Sequence, residues 1–139
     1  MIEIPIKIIE NIINQSVSEL PNEACGMLTG TGEVVQDQYP MTNIDHSPEH
    51  FSFDPQEQFN VLKAARAKGR KIIANYHSHP SSPARPSEED KRLAHDPKIT
   101  YIIVSLADKE PVIKAFRKSI DGDMQVCEIV ETSENEENA

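Results

Sequence analysis

His77 and His79 stand two residues apart at the end of an apolar run, Lys71-Ile72-Ile73-Ala74-Asn75-Tyr76. On a β-strand, residues i and i+2 point to the same face, so the two imidazoles of such a pair converge. Ten residues separate His79 from Asp90, and Pro80, Pro83 and Pro86 stiffen them. That connection is long enough to turn and return a carboxylate beside the histidines. Two imidazoles and a carboxylate form a zinc set with a fourth position left for water, the arrangement of catalytic rather than structural sites. The expectation is one zinc per chain, held by His77, His79 and Asp90. A plainer reading exists for each group. The histidines would simply hydrogen-bond at a strand end, and Ser87-x-x-Asp90 is a serviceable capping box for a following helix. For Ser87 and Asp90 both roles are expected together, with Ser87 capping the helix while facing the metal.

The elements that must position these residues are legible from periodicity. Ile2-Glu3-Ile4 alternates briefly, and Pro5 suits the first turn of a helix. Ile8, Ile9, Ile12, Ile13, Val17 and Leu20 then follow with helical spacing, which predicts a helix over 5–19. Residues 24–30 and 33–40 read as a hairpin around Thr31-Gly32. Asp54-Pro55-Gln56-Glu57 is a helix start, with Asp54 as cap and Glu57 reaching back to it, and Gly69 marks the stop. Strands are expected at 71–78, 99–106 and 111–118, a short helix at 87–95, and a last edge strand at 123–130. The order predicts a single α/β (α+β) domain, a mixed β-sheet flanked by helices.

The run H-S-H-P, six residues, then S-x-x-D resembles the signature of the JAMM (MPN-plus) zinc metallopeptidases, in their short prokaryotic form. Pro21-Asn22-Glu23-Ala24-Cys25-Gly26-Met27-Leu28-Thr29-Gly30 is similar to the P-x-E-x-C-G-x-L-x-G segment of those members, and further matches lie in Asn43–Pro48 and Phe51–Pro55. The likeness covers roughly residues 1–118. It implies a cytidine deaminase-like JAMM/MPN fold. It also implies a role for Glu23, which alone would read as a solvated charge: taking a proton from the zinc-activated water and delivering it to the departing amine. The Ser87 hydroxyl is the candidate donor to the carbonyl oxygen. Cys25 is read as a packing residue, and His46, His50 and His95 as ordinary loop histidines.

The same resemblance implies the substrate: the amide bond after the C-terminal Gly-Gly of a ubiquitin-like or sulfur-carrier protein. Cleavage of a carrier–cysteine adduct is the first choice, and removal of ubiquitin-like modifiers from protein lysines comes next. A non-catalytic scaffold of the same fold is the reading from another class, although all five motif residues are present. Composition narrows the rest. At 139 residues the chain suits one domain with a core of its own, placed at 1–130, followed by an acidic, disordered tail over 131–139. A net charge of −9 argues against a nucleic-acid partner. No apolar run is long enough for a membrane span or an export signal. Two distant cysteines, Cys25 and Cys127, suggest no disulfide framework, and a cytoplasmic setting is expected.

Overall fold

A computed structural model describes residues 1–133 of the chain. In β1 (Ile2–Pro5) the alternation buries Ile2 and Ile4, and α1 (Ile6–Ser18) turns Ile9, Ile12 and Ser16 inward at helical spacing. Pro5 is not in the first turn of that helix. It closes β1 and occupies the N-cap with an extended ψ of 137°. Its fixed φ serves both conformations, so the strand runs straight into the helix.

The hairpin forms as β2 (Cys25–Thr31) and β3 (Val34–Met41), with Gly32 turning at φ 61°. Asp54 caps α2 (Pro55–Ala67), accepting from the N–H groups of Gln56 and Glu57, and Gly69 (φ 70°) ends the run beyond it. Glu57 departs from its expected part in a capping box. Its carboxylate instead accepts from the N–H and hydroxyl of Thr42, both at 2.8 Å, which ties α2 to the end of β3.

The remaining elements are β4 (Lys71–His79), α3 (Glu88–Leu93), β5 (Thr100–Ser105), β6 (Val112–Lys118), β7 (Met124–Cys127) and β8 (Ile129–Thr132). All eight strands join one mixed sheet in the order β7-β6-β5-β4-β2-β3-β1-β8. The single edge strand expected at 123–130 is thus two strands. Only Glu128 separates β7 and β8, yet they lie at opposite ends of the order, so the sheet curls until its two edges meet there. Arg117 of β6 reinforces the closure by reaching Glu33 and the Met1 carbonyl. β8 pairs in parallel with β1, Ile2 to Ile129 through Pro5 to Thr132. Glu131 and Thr132 therefore belong to the sheet, not to a tail starting at 131. The strand supplies them with a ladder of backbone partners that outweighs their polar character. The rest of the expected tail, 134–139, lies outside the described residues.

Two helices divide the two faces of the sheet. On the first, α1 packs Ile9 and Ile12 against Ile2, Ile4, Leu28, Val35, Ala74, Tyr76, Ile102 and Val104. Gly26 makes this packing possible, because a Cβ there would lie 2.2 Å from the Tyr76 hydroxyl on the neighbouring strand. On the second face, Val61 of α2 covers Cys25, Met27 and Met41. None of the described helices is long and apolar enough to cross a membrane.

Candidate active site

Strand alternation sorts β4 between the two faces. Ala74 and Tyr76 enter the core under α1, while His77 and His79 emerge on the α2 side near the strand's end. The 80–86 connection then returns the chain to α3. Ser87 is its N-cap and Asp90 its third residue, joined in a complete capping box: Asp90 N–H donates to Ser87 Oγ (3.0 Å), and Ser87 N–H donates to Asp90 Oδ2 (2.9 Å). The helix stops at Leu93, short of the expected residue 95, as Ala94 leaves helical geometry with ψ 84°. The cap aims the Asp90 carboxylate back at the histidines.

Three ligand atoms meet there. His77 Nε2 lies 3.1 Å from His79 Nε2, and Asp90 Oδ2 lies 3.2 and 3.1 Å from the two nitrogens. Donor atoms around a tetrahedral zinc with bonds of about 2.0–2.1 Å stand about 3.3 Å apart, so these three fit such an ion with little movement. Among the described residues this is the one group of three or more His, Cys, Asp or Glu side chains whose ligand atoms converge in this way. His79 Nδ1–H donates to the Pro83 carbonyl (2.8 Å), which leaves the Nε2 lone pair free toward His77 and Asp90. The His77 ring stacks on Phe51, with centroids 4.6 Å apart and planes inclined by 24°.

Glu23 precedes β2, whose first residue, Cys25, pairs directly with His77. Its backbone is clamped from two sides. Glu23 N–H donates to Ser47 O (2.8 Å), and Asn43 Nδ2 donates to Glu23 O (3.0 Å). Ala24 is fastened by Ser78, which accepts its N–H at Oγ (2.8 Å) and donates its own N–H to Ala24 O (3.0 Å). Asn43 also reaches His50 O and accepts from the N–H groups of Asp45 and Ser52, so one buried amide organises the 43–53 loop. The sequence reading missed these clamps, although the alternation that sends His77 and His79 to the α2 side already turns Ser78 to the other. A buried serine requires a partner, and that was the available signal.

Electrostatics set this region apart. Burial pushes the Glu23 carboxyl up to about 8, with Asp90 and Glu89 adding to the rise and His79 opposing it. Burial also lowers His77, despite the nearby Asp90 carboxylate. For His79 burial acts downward too, but the bonds to Asp90 and Pro83 O prevail and raise it. Burial alone would raise Asp90; the two imidazoles and the Ser87 N–H hold it well below the usual carboxylate range. Three buried side-chain polar atoms among the described residues lack a hydrogen-bond partner, and two of them, Glu23 Oε1 and His77 Nδ1, belong to this region. A cavity of about 270 Å³ opens alongside, with Phe51, Phe53, Tyr101, Ile103 and Leu93 joining His77 and Asp90 in its wall.

The other sequence candidates fall elsewhere. Cys25 is fully buried, its Sγ facing Met41 O, and burial pushes its thiol up to about 12, which suits a packing residue. His46, His50 and His95 are all exposed, with His50 bonded to Asp45.

Comparison with known proteins adds family relationships. The family described as prokaryotic homologs of the JAB domain matches residues 5–119. The CysO-cysteine peptidase of Mycobacterium tuberculosis is 37% identical over 90 residues, 63% of this chain and 62% of that protein. The chain thus spans less than two thirds of that relative's length. A Thermus thermophilus protein named as a probable TtuB-protein conjugate cleaving protease is 33% identical over 101 residues, 72% of this chain and 67% of its own. The solution structure of a Desulfitobacterium hafniense protein superposes with a TM-score of 0.87 at 46% identity, covering 96% of this chain and 94% of that one.

Proposed function

The chain belongs to the family of prokaryotic homologs of the JAB domain, and from that membership we propose that it is a zinc-dependent hydrolase. Its substrate on this reading is the amide bond after the C-terminal Gly-Gly of a small sulfur-carrier or ubiquitin-like protein, with a carrier–cysteine adduct as first choice. The observation that carries the proposal is the meeting of His77 Nε2, His79 Nε2 and Asp90 Oδ2 within 3.1–3.2 Å of one another, close to a buried carboxyl with an unpartnered oxygen. The names of the mycobacterial and Thermus relatives support the substrate class.

His77, His79 and Asp90 would hold one zinc. When bound, that ion supplies Lewis acidity, polarising the scissile carbonyl and lowering the pKa of a water in the site to about 7. The positive charge of a bound ion would draw the Glu23 pKa back down, so that its ionised carboxylate takes the proton of that water and returns it to the departing amine. The clamps at Asn43 and Ser78 keep that carboxyl in place while it changes charge. Ser87 Oγ accepts the Asp90 N–H, an arrangement that leaves its own O–H proton free for the carbonyl oxygen. Cap and donor are compatible roles for one hydroxyl. Phe51 and the apolar cavity wall keep bulk water from the ligands. A tail ending in glycines presents no side chain to obstruct the approach to the metal. We place the protein in the cytoplasm, where Cys25 and Cys127, both free and buried, stay reduced.

The test presents the zinc-loaded protein with two substrates, a carrier–cysteine adduct and the same carrier joined to a protein lysine, and reads product masses. Release of free cysteine from the first supports the first-choice substrate. Preference for the second moves the assignment to protein conjugates, a reading favoured by the name of the Thermus relative. A chain that takes up no zinc and cleaves neither is a scaffold, and the proposal fails.

A further inference from the structure

Ser105 ends β5, directly across the parallel ladder from His79, and only 2% of its surface is exposed. Its hydroxyl bonds to the loop rather than to a histidine or to Asp90. The hydroxyl donates to the carbonyl of Ser82 (2.6 Å) and accepts the N–H of Ala107 (3.1 Å), while Leu106 N–H donates to His79 O (3.0 Å). Ser82 and the next residue, Pro83, form the part of the 80–86 loop that faces His79. Pro83 O receives His79 Nδ1–H at 2.8 Å. Apart from Ser105, the loop is held by Ala84, which is buried against Ile103 and Phe116, and by Arg85 N–H, which donates to the same Pro83 carbonyl at 2.9 Å.

We infer that Ser105 is a positioning residue for the metal ligand His79: it braces the Ser82–Pro83 peptide so that the Pro83 carbonyl meets Nδ1–H and the lone pair of Nε2 is left for the ion. The inference rests on the metal-site reading above. A histidine ligand depends on the group that holds its other nitrogen, and loss of such a partner typically weakens metal binding about 10–100-fold. Ser82 is exposed, so water can satisfy its carbonyl when the hydroxyl is removed. The brace therefore matters more for direction than for stability.

The experiment compares wild type with Ser105→Ala, Ser105→Cys and Ser105→Thr. Zinc affinity is read by competition with a chromophoric chelator. The His79 tautomer is read from ring-nitrogen NMR shifts of the metal-free protein at alkaline pH, where the ring is neutral. Expected are a single Nδ1–H tautomer in wild type, a mixture in Ser105→Ala and Ser105→Cys, and affinity lower by about 10-fold in both. Ser105→Thr, which keeps the hydroxyl, restores both readings. If Ser105→Ala keeps the single tautomer and the wild-type affinity, the serine is structural and the inference is overturned. Should wild type bind no zinc, the metal-site reading fails on its own, while the tautomer comparison still decides the brace.

Discussion

Tyr76 and His77 are consecutive residues of one strand, both buried, and they face opposite sides of the same sheet. Tyr76 looks into the core under α1. Its hydroxyl donates to Gln15 Oε1 (2.5 Å) and accepts from Gln38 Nε2 (3.0 Å). His77 looks the other way, with Nδ1 unpartnered and Nε2 within 3.2 Å of His79 Nε2 and Asp90 Oδ2. The core face spends its polar atoms on one another. The opposite face brings His77 Nε2, His79 Nε2 and Asp90 Oδ2 to one point, and it keeps a carboxyl with an unpartnered oxygen nearby. Leaving a buried polar atom unpaired costs about 1–3 kcal/mol. At Glu23 that cost falls on a carboxyl that feels the charges of His79 and Asp90, which marks it as a group with a use beyond holding the fold together.

Substitution on each side of the strand is the harshest trial of this contrast. His77→Ala is expected to lose both zinc and turnover completely while the protein stays folded, measured by metal analysis and circular dichroism. Tyr76→Phe is the mirror case: it strands two glutamine side chains, costs about 1–3 kcal/mol in denaturant unfolding, and leaves zinc content unchanged. Full zinc occupancy in His77→Ala would dissolve the distinction between the faces.

Glu23→Gln sharpens the contrast further. Turnover should fall ~10²–10⁴-fold with zinc content unaltered, because the amide fills the same space without accepting a proton. The metal-free protein should show the converse. The folded carboxyl titrates at about 8, above its ordinary 4.5, so its protonated form stabilises the fold fully below pH 4.5, and that contribution is lost as pH rises through 8. Without metal, Glu23→Gln is thus expected to melt above wild type at pH 9, by roughly 3 °C or more, and to match it near pH 4.5. A wild-type melting temperature that stays level across this range would remove the buried acid from the argument.

The smallest effect is expected at Ser87, where the two kinds of role coincide. Loss of the cap in Ser87→Ala costs about 0.5–2 kcal/mol, and loss of the donor lowers turnover by roughly 10²–10³-fold. Ser87→Asp separates them. It caps the helix, so stability holds, yet its charge repels a developing oxyanion, so turnover stays low. A stable and active Ser87→Asp would leave Ser87 only as a cap.

Much of this was legible in the chain because the signals are local. The i, i+2 spacing of His77 and His79 fixes their common face, and S-x-x-D fixes the cap that orients Asp90. The Asp54-Pro55 start and Gly69 stop of α2 are equally short-range. What stayed hidden depends on partners far along the chain. Nothing near Ile129 announces that it pairs with Ile2, and Glu57 chose Thr42 over its own helix start because the turn after β3 offered two donors at once. Pro5 ends the strand rather than opening the helix, since its φ suits both. Glu23 is the instructive case. Its type alone says only charge, and the segment around it implies a role only through a family resemblance, whereas its burial comes from the Asn43 loop and from Ser78, both distant in sequence.

The Asn43 clamp has a chemical weak point. Its Nδ2 group faces the carbonyl oxygens of Glu23 and His50, at 3.0 and 3.1 Å. Deamidation, the slow hydrolysis that ages asparagine into aspartate, would exchange that donor for an anion pressed against two acceptors, in a place with little water to screen it. The change in mass is about that of one hydrogen atom, yet it would push the loop off the Glu23 backbone. Asn43→Asp, which installs the same anion, is expected to lower turnover while zinc content and the helical signal stay at their wild-type levels.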